Sequence, residues 1–420
     1  MIMKPFTNEI LPQGYKMTEL GPLPEEWEVI RLGEVCKVDW GNTSLTKKLY
    51  TANGYPAFSA AGNDGFLDFY EHDGEAVILS AIGARSGKCF YASGKWTAIK
   101  NTIVIKSNNE TKINLLFLYF FVNNENYWHK SGSGQPFISI GVAQKQKLPL
   151  PPLPEQQKMA AVLSAVQEAK EKTRAVIAAT KALKKSMMKH LFTYGPVPPE
   201  ETENVPLKET EIGKVPEDWE VVKLGEVVRE KITDGTHKTP QYIENGIPFI
   251  TITNLVNGKI DFSKCRFISE EEHNFLINRC KPEKDDVLLS KVGTLGLTAK
   301  ICEKDNFSIF VQLALIKPKK EIINSDFLTY MLNSISIQNQ IEIKSSQSTM
   351  KYIGVEKISQ LQIPLPPLPV QQKIASILSA IDAKIEAEEN KKKSLEKLFK
   401  TLLHNLMTAK IRVNHLEIKV

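Results

Sequence analysis

The hydrophobic pattern changes period twice along the chain, in the same order each time. Clusters of β-branched and aromatic residues, punctuated by Gly, Asn and Asp, come first at Glu75 to Ser80, Thr102 to Lys106, Ile247 to Ile252 and Ile309 to Lys317. They predict short strands and turns. Short helices follow, with Asn114 and Ser325 as predicted N-caps. Each half then ends in a long segment whose repeat alternates between three and four residues. In the first half the seam is Met159, Val162, Val166, Ala169, Thr173, Val176, Thr180, Leu183 and Met187. In the second it is Ile374, Ile377, Ile381, Lys384, Glu388, Lys391, Leu395, Leu398 and Leu402, apolar at both ends and polar in the middle. The pattern predicts two long helices that pair as a coiled coil or pack on their own domains.

The parallel between the halves extends to identity. LPPLPEQQKMAAVLSA (Leu150 to Ala165) returns as LPPLPVQQKIASILSA (Leu365 to Ala380), with 12 of 16 positions identical. ELGPLPEEWEVIRLGEV (Glu19 to Val35) returns as EIGKVPEDWEVVKLGEV (Glu211 to Val227), with 11 of 17 identical at an offset of 192. The offset is 210 where VILSAIG (Val77 to Gly83) meets VLLSKVG (Val287 to Gly293), so the second half gains 18 residues (210 − 192) in between. It reads as 211 at Asn114 against Ser325, 213 at Ile140 against Ile353 and 215 at the proline motif. A steady drift of this kind describes one duplicated scaffold whose loops take up insertions. The expected fold class is α/β, as two mixed α/β domains.

Connectivity adds an orientation. Tyr194 to Pro206 is a short link, so the second unit begins near the far end of the first long helix and its own helix runs back. The expected arrangement is an antiparallel two-helix coiled coil separating two globular domains, with pseudo-twofold symmetry. At 1.5 Å per residue each helix runs roughly 57 Å, longer than one small domain.

Net charge is +6 over 420 residues, but its distribution weakens any inference from bulk charge. Glu155 to Tyr194 holds 8 basic and 3 acidic residues and Pro369 to Lys410 holds 8 and 5, leaving −2 for the rest. A nucleic-acid face on the globular parts must therefore come from local clusters of Lys and Arg. No N-terminal apolar run resembles a signal sequence and none is long enough to span a bilayer, which predicts a cytoplasmic protein. Cys36, Cys89, Cys265, Cys280 and Cys302 show no CxxC spacing and are read as buried reduced thiols; no metal site is expected.

Catalytic constellations fare poorly. GARSGKC (Gly83 to Cys89) has three residues between its glycines where a phosphate loop needs four, and SGSGQP (Ser131 to Pro136) reads as a flexible loop. Glu168-Ala-Lys170 and Glu342-Ile-Lys344 match only the end of a metal-nuclease motif. The chain is expected to be no enzyme. PPLP is read as rigid punctuation before a helix, with an SH3-type ligand as the alternative.

Two variable units, each opening with PxxWEVxxLGE and closing with PLPPLPxQQK before a long helix, resemble the specificity subunit of type I restriction-modification enzymes. The resemblance covers nearly the whole chain and rests on Pro24, Trp27, Leu32 and Gly33 with Pro151 to Gln157, and on Pro216, Trp219, Leu224 and Gly225 with Pro366 to Gln372. One departure is Val370, where the first half has Glu155.

The resemblance implies a non-catalytic subunit whose two target recognition domains each read half of a bipartite site in double-stranded DNA. It also implies a coiled coil that sets the spacer and docks two modification subunits, with restriction subunits joining them. No cofactor is expected in this chain; S-adenosylmethionine, ATP and Mg belong to the partner subunits. No membrane partner is implied. The expected divisions are an N-terminal segment (1–18), recognition domain 1 (19–150), proline motif and central helix (151–194), linker (195–206), recognition domain 2 (207–365), proline motif and C-terminal helix (366–410) and tail (411–420). Candidate DNA-binding residues are those whose side chains read base edges or hold phosphates. In the first domain they are Lys47, Lys48, Arg85, Lys88, Lys95, Lys100, Asn101, Ser133 and Gln135. In the second they are Thr236, His237, Lys238, Lys291, Thr294, Gln347, Ser348 and Lys351. Pro151, Pro152, Pro154, Gln156 and Gln157, with Pro366, Pro367, Pro369, Gln371 and Gln372, are candidates for subunit docking or for fixing the helical spacer. A duplicated scaffold that joins partners without reading sequence, and a metal-dependent nuclease, are the alternatives.

Overall fold

The computed structural model describes residues 11–132, 134–302, 306–346 and 350–416. Two compact units account for the chain, one made of Met1–Arg174 with Asn390–Val420 and the other of Ala175–Glu389.

In the first unit, β1 (Cys36–Trp40), β2 (Ala76–Ser80), β3 (Cys89–Ala92) and β4 (Thr102–Ser107) form an antiparallel sheet in the order β1-β4-β2-β3. Strand alternation splits its side chains between two cores. Val77, Leu79, Ile103 and Ile105 face α1 (Leu115–Val122) and Trp27. Ile78 and Val104 face a second sheet through Phe58, Trp96 and Ala98. That sheet contains Tyr55–Ser59 and Lys95–Ala98 as a parallel pair. The opening and closing repeats of the unit pair with each other, Glu28–Arg31 running antiparallel to Lys147–Leu150. From there α2 (Leu153–Tyr194) departs, with Pro154 in the first turn, where a missing N–H costs nothing.

The second unit repeats the plan. β5 (Thr233–Asp234), α3 (Glu270–Ile277), β6 (Val287–Ser290), β7 (Thr298–Lys300), β8 (Leu313–Ile316) and α4 (Ser325–Leu332) follow in sequence, and the sheet order is β5-β8-β6-β7. Val287, Leu289, Ala314 and Ile316 pack toward α4, while Leu288 and Leu315 face Ile250 and Ile309. Glu220–Lys223 pairs with Gln362–Leu365, and α5 (Leu368–Met407) departs from that ribbon. Arg266–Ile268 pairs with Ile247–Phe249 as Gly62–Leu67 pairs with Tyr55–Ser59, and the added residues of this half include α3.

Within each unit the stretches of α2 and α5 run antiparallel. Arg174 pairs with Glu396 at 3.4 Å and the Lys170 ammonium lies 4.4 Å from the Phe399 ring centre in the first. Lys181–Glu389 and Lys184–Asp382, each 2.6 Å, do so in the second.

Four expectations need correction. Val176, Leu183 and Leu398 are exposed (39%, 51% and 46%), and Ile177 and Ile385 are buried instead. A seam with a strict 3.5-residue repeat drifts by about 20° per heptad around a straight helix, so mid-helix the buried face moves one residue along. The cap of α4 is Asn324, not Ser325; its side chain accepts from Phe327 N at 2.9 Å, just as Asn114 accepts from Phe117 N at 2.8 Å. The offset is therefore 210 at that point (324 − 114), not 211. The segment read as one strand over 309–317 is broken at Phe310 to Gln312. Of the five free cysteines, Cys302 is exposed and Cys265 half-buried; burial at Cys36 pushes its thiol up to about 12.

Candidate nucleic-acid interface

Five of the cationic and amide residues singled out in the first domain converge. Lys47, Lys48, Arg85, Lys100 and Asn101 line one open cavity of about 650 Å³, with Ile82 and Ser59 among its walls. They come from three separate turns, brought together because β2 and β4 end side by side, with Ser80 opposite Thr102. Lys47 is neutralised by Asp64, to which Tyr50 and Ser59 also donate at 2.9 Å. Burial alone would raise the Asp64 carboxyl, but the hydrogen bonds from Lys47, Ser59 and Tyr50 outweigh it and hold the group below the usual range. Arg85 donates to the Ala61 carbonyl at 3.3 Å. Among the described residues no ion pair engages Lys48, Arg85 or Lys100, so three positive charges face the opening.

The other candidates of this domain are placed differently. Lys88 follows Arg85 in the same turn, its ammonium 5.8 Å from the Phe90 ring centre. Gln135 is exposed next to the 83–87 turn, where the preceding strand is bridged to Phe137. Lys95 stands at the far end of its strand from Lys100, roughly 16 Å away along it, with its ammonium over Tyr70. Ser133, like Gln347 and Ser348 of the second domain, lies outside the described residues.

In the second domain Lys291 is not available as a surface cation. It is 2% exposed, pairs with Asp234 at 3.0 Å and lies under the Tyr352 ring at 4.8 Å. Asp234 is the carboxylate that pairs with it there. Asp234 also accepts from Arg279 at 2.6 Å and contacts His237 at 3.3 Å. His237 and Lys238 are exposed and Thr236 half-buried, its backbone bridged to Phe310. Thr294 is exposed, and its carbonyl accepts from Ser290 at 2.6 Å. Lys351 pairs with Glu342. Sequence reasoning missed Arg279, Trp40, Phe137, Tyr352 and Gln312; their common position becomes visible only when the two units are aligned hydrogen bond by hydrogen bond.

That alignment is close. Ala81 N donates to Asn101 O (3.0 Å) and Lys291 N to Gln312 O (2.8 Å); Gly83 N donates to Pro136 O and Gly293 N to Lys351 O (both 2.9 Å). Ile138 N returns to Ala81 O, and Ile353 N to Lys291 O. The strand leading into this corner ends at a glycine in both units. A Cβ on Gly41 would sit 2.2 Å from Thr102 Oγ1, and one on Gly235 2.0 Å from Ile309 O, so no larger residue fits.

The proline motif divides into two faces. Gln156 is fully buried; it accepts from Asn114 N (2.9 Å) and donates to Lys112 O (2.9 Å) and Pro151 O (2.8 Å). Gln371 repeats this with Asn324 N, Ile322 O and Pro366 O (2.8, 3.0 and 2.8 Å). These glutamines, with the buried Pro151 and Pro366, tie each long helix to its own domain and face inward. Pro152, Pro154, Pro367, Pro369 and Gln372 are exposed and Gln157 half-buried. At the one departure, Glu155 is 3% exposed, accepts from Trp27 Nε1 at 3.0 Å and pairs with Arg412 at 2.6 and 2.8 Å.

No group of three or more His, Cys, Asp or Glu is placed to hold a metal, and no helix is long and apolar enough to cross a membrane, among the described residues. The sequence matches the family described as Type I restriction modification DNA specificity domain over residues 24–179 and 216–397. It is 30% identical over 415 residues to the type I restriction enzyme MjaVIII specificity subunit of Methanocaldococcus jannaschii, covering 94% of this chain and 95% of that protein. It is 23% identical over 428 residues to the MjaIX specificity subunit of the same organism, covering 96% and 97%. In fold it is similar to the S subunit of a type I restriction-modification system from M. genitalium, with a TM-score of 0.64 at 18% identity over 90% of this chain and 96% of that one. A chain from a structure describing assembly and conformational transition of a type I system matches with a TM-score of 0.51 at 20% identity, covering 93% and 99%.

Proposed function

The chain belongs to the family of type I restriction-modification DNA specificity subunits, and from this premise we propose that its two recognition domains, residues 19–150 and 207–365, each read one half of a bipartite DNA site. The observation that carries the reading is the convergence of Lys48, Arg85, Lys100 and Asn101 on one open cavity. Three cations there hold phosphates, and an amide stands among them to meet a base edge. Chemistry on the DNA belongs to the partners: modification subunits dock on the long helices and the exposed prolines at their starts, and restriction subunits join them. The five free thiols suit a reducing cytoplasm.

Two short readouts on one chain gain specificity because the second contact forms at high effective concentration. The complex with its modification subunits, tested by methylation mapping on random DNA, is expected to mark one bipartite site. Equal methylation of unrelated duplexes would leave only the scaffold reading. Exchanging residues 36–147 for those of a relative is expected to change one half-site and leave the other intact. In the same assay, adding a heptad to both long helices, about 10.5 Å, is expected to lengthen the preferred spacer by about three base pairs. An unchanged spacer would sink the idea of the helices as a ruler.

A further inference from the structure

The corner shared by the two domains keeps its backbone and changes its side chains, as two readers of different sequences must. Trp40, Ala81, Asn101 and Phe137 stand in the first domain where Asp234, Lys291, Gln312 and Tyr352 stand in the second. In the first, Trp40 and Phe137 stack at 6.1 Å and 13°, Trp40 being 37% exposed. Asn101 beside them holds a left-handed φ of 69° and is exposed at the cavity rim. In the second, the aromatic pair is replaced by an ionic group. Asp234 lies at its centre with the buried Lys291 beneath, and Arg279, whose side chain is 59% exposed, reaches it from the end of α3. Thus the segment that only the second half possesses delivers a guanidinium onto the shared corner.

We propose that this corner is the base-discriminating station of each domain, an inference that rests on the DNA-reading function above. In the first half-site it selects an A·T pair, with the Asn101 amide on adenine and the Trp40–Phe137 surface against the thymine methyl group. In the second it selects guanine through Arg279. One Arg279 nitrogen is held by Asp234, and among the described residues the rest of the fork remains free for the O6 and N7 acceptors. Lys291 compensates the Asp234 charge from below, which leaves the guanidinium net positive toward DNA.

The test is methylation mapping by the full complex with its modification subunits, comparing wild type with Asn101→Ala, Arg279→Ala and Arg279→Lys. Arg279→Lys keeps the charge but loses the planar fork. Both Arg279 variants are expected to lose discrimination at one guanine of the second half-site, roughly 5- to 150-fold, with the first half-site unchanged. Asn101→Ala is expected to relax one adenine of the first half-site only. Asp234 keeps Lys291 as partner in both Arg279 variants, so folding is preserved, and unchanged melting of the complex checks this. If every variant retains the wild-type base preferences and loses only overall affinity, the corner holds phosphates and the proposal is overturned. If the wild-type complex itself selects no bipartite site, the DNA-reading function fails instead.

Discussion

Arg412→Ala is expected to destabilise the first unit by about 3 kcal/mol, although Arg412 lies beyond the last helix. Its guanidinium makes a two-nitrogen contact with Glu155, at 2.6 Å from Nε and 2.8 Å from Nη2, and Nη2 also reaches Glu26 at 2.6 Å. The Glu155 side chain is 4% exposed. Removing the cation leaves that carboxylate buried with the Trp27 indole N–H as its remaining donor, and an uncompensated buried charge costs more than the pair contributes. The hydrogen bond from Arg412 also holds the Glu26 carboxyl below the usual range. The fold itself supplies the control. The second unit has Val370 at the position of Glu155, so Glu155→Val combined with Arg412→Leu is expected to recover most of the loss. Urea unfolding followed by tryptophan fluorescence reads this directly, because four of the five tryptophans (Trp27, Trp40, Trp96 and Trp128) belong to the first unit. A single variant within 0.5 kcal/mol of wild type, or a double variant no better than the single, would contradict the account.

Gln156→Ala and Gln371→Ala are expected to cost about 2 to 4 kcal/mol each, and each in its own unit. Every one of these side chains satisfies one backbone N–H and two carbonyls, at the start of α1 or α4 and at the proline before the long helix. Alanine leaves all three groups without a partner inside the fold, which is the expensive way to lose a hydrogen bond. Hydrogen exchange is expected to quicken at Asn114 in the first variant and at Asn324 in the second. Gln157→Ala and Gln372→Ala, at half-buried and exposed positions, are expected to leave unfolding within about 0.5 kcal/mol of wild type. If the second pair destabilises as much as the first, the assignment of faces is wrong.

The proline motif shows where sequence and structure part. The sequence identifies PLPPLPxQQK as the constant element of both halves, but two adjacent glutamines look alike in a string of letters. Which one turns inward depends on the helical phase at Leu153 and Leu368, and on a backbone N–H more than 40 residues earlier that needs an acceptor. The cap at Asn324 was misplaced for a related reason. Asn324 and Ser325 are both good caps, and only the contact from Gln371 separates them.

The candidate DNA-binding residues divide in the same way. Lys47, Lys48, Arg85, Lys100 and Asn101 were legible as short polar clusters, and the strand ends gather them. Lys291 was legible as a cation but not as a buried one. Its environment is made by Asp234 and Tyr352, each about 60 residues away in the chain. Arg279 gave no sequence signal because its partner lies 45 residues away and its segment has no counterpart in the first half.

By itself the sequence determined the duplication, the strand-rich domains, the long helices and the family, because periodicity and repeated motifs are local properties of the chain. Tertiary structure alone decided which face of each helix is buried, which glutamine holds it, and which side chains share the corner at the end of the sheet. Those outcomes depend on strand register and helical phase, where a shift of one residue turns a side chain from solvent to core.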